Sequence, residues 1–155
     1  MSAGLPFIDI HNVSVDVPED RAWSAVVSTV GLVTCRPMWR ALATALRCSP
    51  SGAVGAPETA GSCLPGFRVT QSDAPTLWGL EGSHFFARYA LTFRVTPLND
   101  QRCQVSAESS GSFPGIHGAA YRALVIGTGG HVVSVRGMLR QIKADAERPR
   151  TVHAP

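Results

Sequence analysis

The chain has 155 residues, 45% hydrophobic and 16% charged, a composition that fits one globular domain and excludes a disordered chain. Fourteen basic residues against eleven acidic ones give a net charge of +3, and no run of Lys or Arg occurs. Because nucleic-acid and membrane-surface proteins usually carry a basic stripe, we expect no nucleic-acid partner and no membrane insertion.

The first predicted element is a long strand over residues 7–17. Apolar and polar residues alternate from Ile8 onward, as in a strand with one buried face. Ile10 either breaks the phase of this alternation or faces a second layer.

Two short helices are predicted after this strand. Pro18 and the two acidic residues after it are typical of a helix N-terminus, and Gly31 is expected to end the helix after about Val30. Pro37 begins the second helix. The residues expected to be buried on the first helix are Trp23, Val26, Val27 and Val30.

Residues 49–66 form the one low-complexity stretch of the chain. Ten of its eighteen residues are Gly, Ser or Pro, and no periodic apolar face is present. We therefore predict a mobile loop that joins two parts of one fold and that is a candidate lid for a cavity.

Consecutive strands are predicted after this loop. Strict alternation marks the longest of them, and Pro97–Asp100 predicts the turn that follows it. Because the connections are short, we expect an antiparallel meander. The predicted strands are 67–73, 76–82, 85–95 and 103–110.

A long helix is predicted from about Gly115 to Glu147, with an apolar face that covers the sheet. Gly127, Gly129 and Gly130 lie in its middle, where the helix bends or another element approaches closely. Residues 148–155 are expected to form a frayed tail. The apolar face includes Leu124, His131, Val135 and Leu139.

This order of elements predicts an α+β fold in which a curved antiparallel sheet wraps around the C-terminal helix. Residues 6–147 are assigned to a single domain. Such a curved sheet often leaves a cavity between itself and the helix.

Residues 11–23, 64–93 and 113–131 carry a resemblance to the START-like superfamily, also called SRPBCC or helix-grip, which includes polyketide cyclase/dehydrase and Bet v 1-like proteins. Residues 11–23, HNVSVDVPEDRAW, are similar to the first strand and helix of that family. Residues 113–131, FPGIHGAAYRALVIGTGGH, look like the start of the closing helix in an uncharacterised actinobacterial-type branch, and residues 64–93 fit the same branch.

The resemblance implies a helix-grip fold over roughly residues 6–145, with a pocket between the sheet and the closing helix. It brings no catalytic signature. The sequence departs from the seven-stranded form of the family because residues 49–66 stand where two strands are usual, so a smaller sheet is expected.

The candidate ligand-binding residues are side chains expected to face this pocket. A plain core position is the alternative for the aromatic ones, and capping or surface exposure is the alternative for His117. The candidates are Trp78, Tyr89, Phe93, Phe113, His117, Tyr121, Leu124 and His131.

His131 lies on the apolar face of the closing helix, where the pocket of the family would be. Three roles stay open: a core histidine with one hydrogen-bond partner, a ligand hydrogen-bonding group, or an acid/base. A metal site shared with His117 is disfavoured, because a straight helix would separate the two histidines by roughly 21 Å. We expect no metal and no cofactor.

The four cysteines show neither a CxxC motif nor zinc-finger spacing, and the N-terminus does not resemble a signal peptide. We therefore expect free thiols and a cytoplasmic location. The longest nearly apolar segment, residues 123–135, is too short to span a bilayer.

These observations favour a protein that binds a small hydrophobic molecule in a cavity between the sheet and the C-terminal helix. An enzyme of the polyketide cyclase or aromatase type is the alternative that the resemblance allows. A protein-interaction module is the second alternative, and a homodimer is open. Neither a nucleophile elbow nor a phosphate-binding loop occurs, so whether the protein is an enzyme stays open.

Overall fold

The computed structural model describes residues 4–149. Its strands are β1 (Phe7–Val15), β2 (Cys63–Leu64), β3 (Phe67–Asp73), β4 (Leu77–His84), β5 (Ala87–Asn99) and β6 (Arg102–Ser112). Its helices are α1 (Glu19–Cys35), α2 (Pro37–Ala45), α3 (Gly115–Val125) and α4 (Gly130–Glu147). Within this range the six strands form one antiparallel sheet in the order β1-β6-β5-β4-β3-β2. The predicted α+β fold, with a curved antiparallel sheet and a C-terminal helix, is confirmed.

Strands β3 to β6 are the consecutive antiparallel meander that the short connections predicted. Their register sets Trp78 opposite Phe93, and Phe93 opposite Ala107 on the next strand. All three side chains are buried in the core with residues of α1 and α4. Because strand side chains alternate between two faces, this register gives the sheet one apolar, helix-covered face, which we call the concave face.

Helix α1 buries the four residues that its periodicity predicted, but it does not end at Gly31. It continues to Cys35, and Arg36 then adopts extended backbone angles. Arg36 precedes Pro37, and the proline ring disfavours helical geometry in the residue before it. The helix therefore ends at the proline rather than at the glycine.

The Gly/Ser/Pro-rich segment 49–66 is fastened to the sheet. Ser49 forms a bridge with Ser83, and the amide of Gly61 donates to the carbonyl of Val69 at 2.8 Å. The indole Nε1 of Trp78 donates to the carbonyl of Pro57 at 3.0 Å. The segment predicted to be a mobile loop therefore has ordered contacts with the sheet, and its mobility stays a prediction. This segment contributes one short strand, β2, where the resemblance implied two in the seven-stranded form.

The predicted long helix over 115–147 is divided in two. Residues 126–129 separate α3 from α4, and Gly129 has φ +77°, a left-handed conformation that strongly favours glycine. The two helices do not present one continuous face to the sheet. Leu124 on α3 is 66% exposed, whereas Val135 and Leu139 on α4 are buried. Leu124 therefore does not cover the sheet as predicted.

Helix α4 lies alongside β1 and runs in the same direction. Lys143 Nζ donates to the carbonyl of Ser14 at 2.8 Å, and the amide of Asp16 donates to Glu147 Oε1 at 2.8 Å. Lys143 and Glu147 also form an ion pair at 2.6 Å. These charged side chains occupy backbone groups at the free edge of β1, which would otherwise be available for pairing with another strand.

No helix among residues 4–149 is long and apolar enough to cross a membrane. The predicted frayed tail, 148–155, lies outside the described residues from position 150 onward.

The contact between Glu147 and β1 predicts a pH dependence of stability. The hydrogen bonds from Lys143 and from the Asp16 amide hold the pKa of Glu147 below its ordinary value of 4.5. The unfolded state therefore binds the proton more readily, so this stabilisation is complete above pH 4.5 and is lost as the pH falls further. We expect Glu147→Gln to lower the free energy of unfolding by about 1 kcal/mol at pH 7.

Urea unfolding at pH 7 and pH 3.5 measures this effect. The exposed Glu108, for which no side-chain hydrogen bond or ion pair is found among residues 4–149, provides the matched control Glu108→Gln. If both variants lost the same free energy of unfolding, the stabilising contact between Glu147 and β1 would be contradicted.

Candidate functional site

Two of the predicted site residues, Trp78 and Phe93, lie deep in the core. Their side chains are 0% and 1% exposed, and their ring centroids are 6.0 Å apart. The indole nitrogen of Trp78 is engaged by the backbone of segment 49–66. Their contact with a ligand stays a prediction, while their contribution to core packing is evident from this burial.

Three other predicted residues, Tyr89, Phe113 and Tyr121, belong to one group of contacting rings. His84 joins them, because its ring centroid lies 5.4 Å from that of Tyr89 and 4.8 Å from that of Tyr121. Phe86 stacks on Tyr121 at 5.4 Å, and Phe113 lies 6.4 Å from Tyr121. We call these five residues the aromatic cluster. It connects β4 and β5 to α3.

The hydroxyl of Tyr89 is held by the protein itself. It donates to the carbonyl of the buried Gly66 at 2.7 Å and lies 3.7 Å from Cys48 Sγ. Burial, with Cys48 adding to it, raises the pKa of Tyr89 well above its usual range. This contact between Tyr89 and Gly66 requires a glycine at position 82, because a Cβ at that position would collide with the Gly66 carbonyl and the Tyr89 ring. Tyr89 thus anchors segment 49–66 to the sheet.

His84 is an unforeseen member of the aromatic cluster. Its Nδ1 accepts a hydrogen bond from the amide of Phe86 at 3.1 Å, so the neutral ring carries its proton on Nε2. Burial lowers the pKa of His84 below 6.5, which favours that neutral form. No helical or strand-phase pattern singled out His84, since it lies at the end of β4.

Helix α3 is held mainly through Tyr121 and a close approach at Gly118. Gly118 is its one buried residue, and a Cβ there would collide with the backbone of Phe113. The predicted site residues His117 and Leu124 lie on the exposed side of α3, as does Ile116 at 86% exposure. A direct part in ligand binding for His117 and Leu124 stays a prediction.

His131 belongs to a different group, in which it contacts Asp9 of β1 and Asp9 in turn contacts His11. Its Nε2 lies 3.4 Å from Asp9 Oδ1, and His11 Nε2 lies 3.2 Å from Asp9 Oδ2. Ser109 of β6 is the cross-strand partner of Asp9. We call Asp9, His11, Ser109 and His131 the polar cluster.

The protonation pattern of His11 follows from its neighbours. Arg136 Nε can only donate, and it lies 3.4 Å from His11 Nδ1, so that nitrogen accepts. In the neutral ring the proton is then on Nε2, which donates to Asp9 Oδ2. His11 is therefore satisfied at both nitrogens, and one oxygen of Asp9 is left over.

Three buried atoms of the polar cluster have no hydrogen-bond partner among residues 4–149. They are Asp9 Oδ1, Ser109 Oγ and His131 Nε2. Asp9 Oδ1 and His131 Nε2 are within ion-pair distance of one another but lack hydrogen-bond geometry. Buried polar atoms are normally paired, so a group of unpaired ones marks a position that needs another partner.

The polar and aromatic clusters are neighbours on the concave face. Ser109 pairs with Leu91, and Gly111, the next residue of the same phase, pairs with Tyr89. One such step along a strand is about 7 Å. Phe113 and Ile8 pack against Gly111 between the two clusters. The end of the concave face near α3 is therefore apolar and aromatic on one side and polar on the other.

Sequence reasoning identified His131 but missed Asp9, His11 and Ser109. The signal was present in β1, where the inward phase contains Asp9 and His11 before it reaches Val13 and Val15. Ile10, which interrupted the expected alternation, is 47% exposed on the other side. Polar residues on the buried phase of a strand are the feature that could have indicated a site.

Within residues 4–149, no three His, Cys, Asp or Glu side chains are arranged to hold a metal ion. The four cysteines are free thiols. The pKa of the Cys48 thiol is raised, and burial is the largest cause of this shift.

Comparison with known proteins finds no matching family model and no matching curated protein. Solved structures do match. The Zhui aromatase/cyclase from Streptomyces sp. R1128 has a TM-score of 0.62 at 13% identity, over 95% of this chain and 98% of that one. Truncated norcoclaurine synthase from Thalictrum flavum gives 0.59 at 13% identity, over 94% and 98%.

The same synthase in complex with dopamine and hydroxybenzaldehyde gives a TM-score of 0.53 at 12% identity, over 92% of this chain and 91% of that one. These similarities extend over nearly the whole chain at low identity. They confirm the helix-grip, Bet v 1-like fold that the sequence resemblance implied. The actinobacterial-type branch stays a prediction.

The bond between Tyr89 and Gly66 predicts unequal effects for two similar substitutions. Tyr89→Phe leaves a buried carbonyl without its partner, so we expect the free energy of unfolding to fall by about 1–2 kcal/mol. Tyr121 shares the aromatic cluster, but its hydroxyl donates no hydrogen bond within residues 4–149. Tyr121→Phe should therefore change stability by less than about 0.5 kcal/mol. Denaturant unfolding of both variants measures the difference, and equal losses would refute the anchoring role of Tyr89.

Proposed function

We propose that the protein binds a small, largely apolar molecule at the α3 end of the concave face, with one polar group of that molecule held by the polar cluster. The observation that carries this proposal is the set of three buried, unpartnered atoms on Asp9, Ser109 and His131. A bound molecule that pairs with them removes the penalty of burying them alone.

The chemistry of these atoms defines the group that fits. An ionised Asp9 oxygen can only accept a hydrogen bond, whereas the Ser109 hydroxyl and the His131 ring can each donate or accept. An alcohol or phenol hydroxyl on the ligand can pair with these three groups. It donates a hydrogen bond to Asp9, and its oxygen accepts one from Ser109 or His131. A hydrogen bond to the charged carboxylate contributes roughly 1.5–3 kcal/mol.

The apolar part of the molecule would lie toward the aromatic cluster. Aromatic rings there offer edge-to-face and stacked contacts to a planar ligand. Burial of apolar surface contributes about 25 cal/mol per Å², less the cost of ordering the ligand. This division of polar and apolar contacts is typical of small-molecule sites.

Access to this region would be through movement of α3. That helix buries a single glycine of its own, and glycines with positive φ, Gly115 and Gly129, flank it. Its contact with the sheet is concentrated at Tyr121, so little packing has to be broken when it moves. The lid predicted for segment 49–66 is thus assigned to α3 instead.

The structural neighbours support an aromatic ligand class. One is an aromatase/cyclase, and another is a synthase crystallised with dopamine and hydroxybenzaldehyde, which are both phenols or phenol derivatives. The low identity means that the fold is what is shared, so the ligand class rests on the two clusters of this chain. The cytoplasmic location and the homodimer stay predictions.

An acid/base enzyme of the aromatase or cyclase type is the second candidate, and one observation favours it. His131 lies against a carboxylate whose other oxygen is held by His11, so Asp9 is oriented toward the histidine ring. A carboxylate beside an imidazole is the arrangement that proton transfer requires. A bound carbonyl compound could then lose a proton from the adjacent carbon to this pair.

Ser109→Ala separates a binding role from a packing role. The substitution removes a buried hydroxyl without a partner, so we expect the free energy of unfolding to stay the same or to rise. The dissociation constant of a phenolic ligand should rise about tenfold. Thermal-shift screening of hydroxylated aromatic compounds supplies the ligand, and calorimetry then measures both variants.

Ser106→Ala is the matched control, since Ser106 lies on the same strand in the opposite phase. It should leave affinity unchanged. A screen in which no hydroxylated aromatic compound raises the melting temperature would sink the proposal, as would equal affinities of the two serine variants.

Deuterium uptake next to a carbonyl tests the enzymatic candidate. In D₂O, a phenolic ketone that binds should exchange its adjacent C–H protons faster with the protein than in buffer. Asp9→Asn and His131→Gln should each slow this exchange by about 100-fold while affinity changes less than tenfold. Exchange no faster than in buffer would leave binding as the function and remove the enzymatic candidate.

A further inference from the structure

A recess of about 430 Å³ lies between the free edge of β1 and helix α4. It adjoins the concave site and shares His11 with the polar cluster, but Asp9, Ser109 and His131 do not line it. Its lining residues are Ile10, His11, Asn12, Val13, Arg136, Leu139 and Arg140.

The helix side of the recess carries cations that lack counter-charges. Arg136, Arg140, Lys143 and Glu147 recur at helical spacing and form one stripe along β1. Lys143 and Glu147 form an ion pair with one another and contact the free edge of β1. Arg136 and Arg140 have no carboxylate within ion-pair distance among residues 4–149.

The two arginines therefore repel one another without compensation. Like charges four residues apart on a helix are destabilising. Arg136 Nε is directed at a neutral acceptor, His11 Nδ1, at 3.4 Å. By contrast, Arg102 and Arg148, which lie beyond the recess, each pair with an aspartate. An anion in the recess would supply the missing charge.

The strand side of the recess adds neutral backbone groups, among them donors. Ser14 and Asp16 direct backbone groups to the free edge, where α4 side chains bind them. Because alternate residues of an antiparallel strand direct both their N–H and C=O groups to the same edge, the amides and carbonyls of Ile10 and Asn12 face that edge as well, and the amides can donate to an anion. Backbone amides and guanidinium groups together are the donors that bind carboxylates and phosphates.

We propose that this recess binds an anionic group, a carboxylate or a phosphate, attached to an organic body. Arg136 and Arg140 would hold the charge, and the Val13 and Leu139 side chains would contact the apolar part. Ile10, exposed at 47%, extends this apolar surface at the mouth. The inference does not depend on the proposed function, because it rests on two arginines outside the polar cluster, and the three residues with unpartnered atoms do not line the recess.

Three probes of one ring size test the proposal: benzoate, phenyl phosphate and benzyl alcohol. Titration followed by amide chemical shifts should show binding of an anionic probe with perturbations at residues 10–13 and 136–140. Benzyl alcohol, which lacks the charge, should bind at least tenfold more weakly. The ratio between benzoate and phenyl phosphate decides which anion the recess prefers.

The double variant Arg136→Gln/Arg140→Gln should weaken binding of the anionic probe by at least tenfold. Arg40→Gln/Arg94→Gln is the matched control, since both residues are exposed, lie outside the recess and change the net charge equally. It should leave affinity within twofold. Equal losses in the two double variants would reduce the effect to net charge and overturn the proposal. Equal binding of benzyl alcohol and benzoate would do the same.

Failure here is distinguishable from failure of the concave site. Ser109→Ala should not change the affinity for the anionic probe. Arg140→Gln should not change the affinity for the phenolic ligand, because among residues 4–149 only Arg136 of the two arginines contacts the polar cluster. If Ser109→Ala weakened both, the anion would be bound in the concave site and the recess proposal would fall.

Discussion

The packing of α4 along β1 is the contact on which the rest of the structure depends. Buried residues of α4 cover the concave face of the sheet, and the helix and strand run in the same direction over nearly equal lengths. At about 1.5 Å per helical residue, His131 to Glu147 extends about 24 Å. Asp9 to Asp16 extends about 23 Å at about 3.3 Å per strand residue. This match allows one helix to meet β1 from end to end, and it fixes three different regions at once.

Each region has its own chemistry because the contact changes along the helix. At the last turns, Lys143 and Glu147 occupy the edge of the strand and protect it. At the middle, two arginines face a recess. At the first turn, His131 meets Asp9 over the concave face. The unpaired atoms there reduce stability, which is a common compromise at functional sites, where local rules of packing are broken in favour of binding.

The amino-acid sequence by itself determined the features that arise from neighbouring residues. Alternation predicted the meander, and helical spacing predicted both the buried side of α1 and the α4 residues Val135 and Leu139 that cover the sheet. These patterns are reliable because side-chain burial on a regular element repeats with the period of that element. The resemblance to helix-grip proteins extended this to the overall fold. Sequence also singled out His131, since a histidine on an apolar face is unusual.

Only the tertiary structure decided which residues meet. Asp9 and His131 come from opposite ends of the chain, and no local pattern relates them, so their contact depends on how α4 lies along β1. The division of the closing helix also became visible only in the structure. The sequence contains several glycines in this region, and the left-handed conformation of Gly129 is what separates α3 from α4. The contacts of segment 49–66 were not predicted, for the same reason. Its order comes from bonds to the sheet, such as the one its Gly66 carbonyl receives from Tyr89, and composition contains no information about such partners.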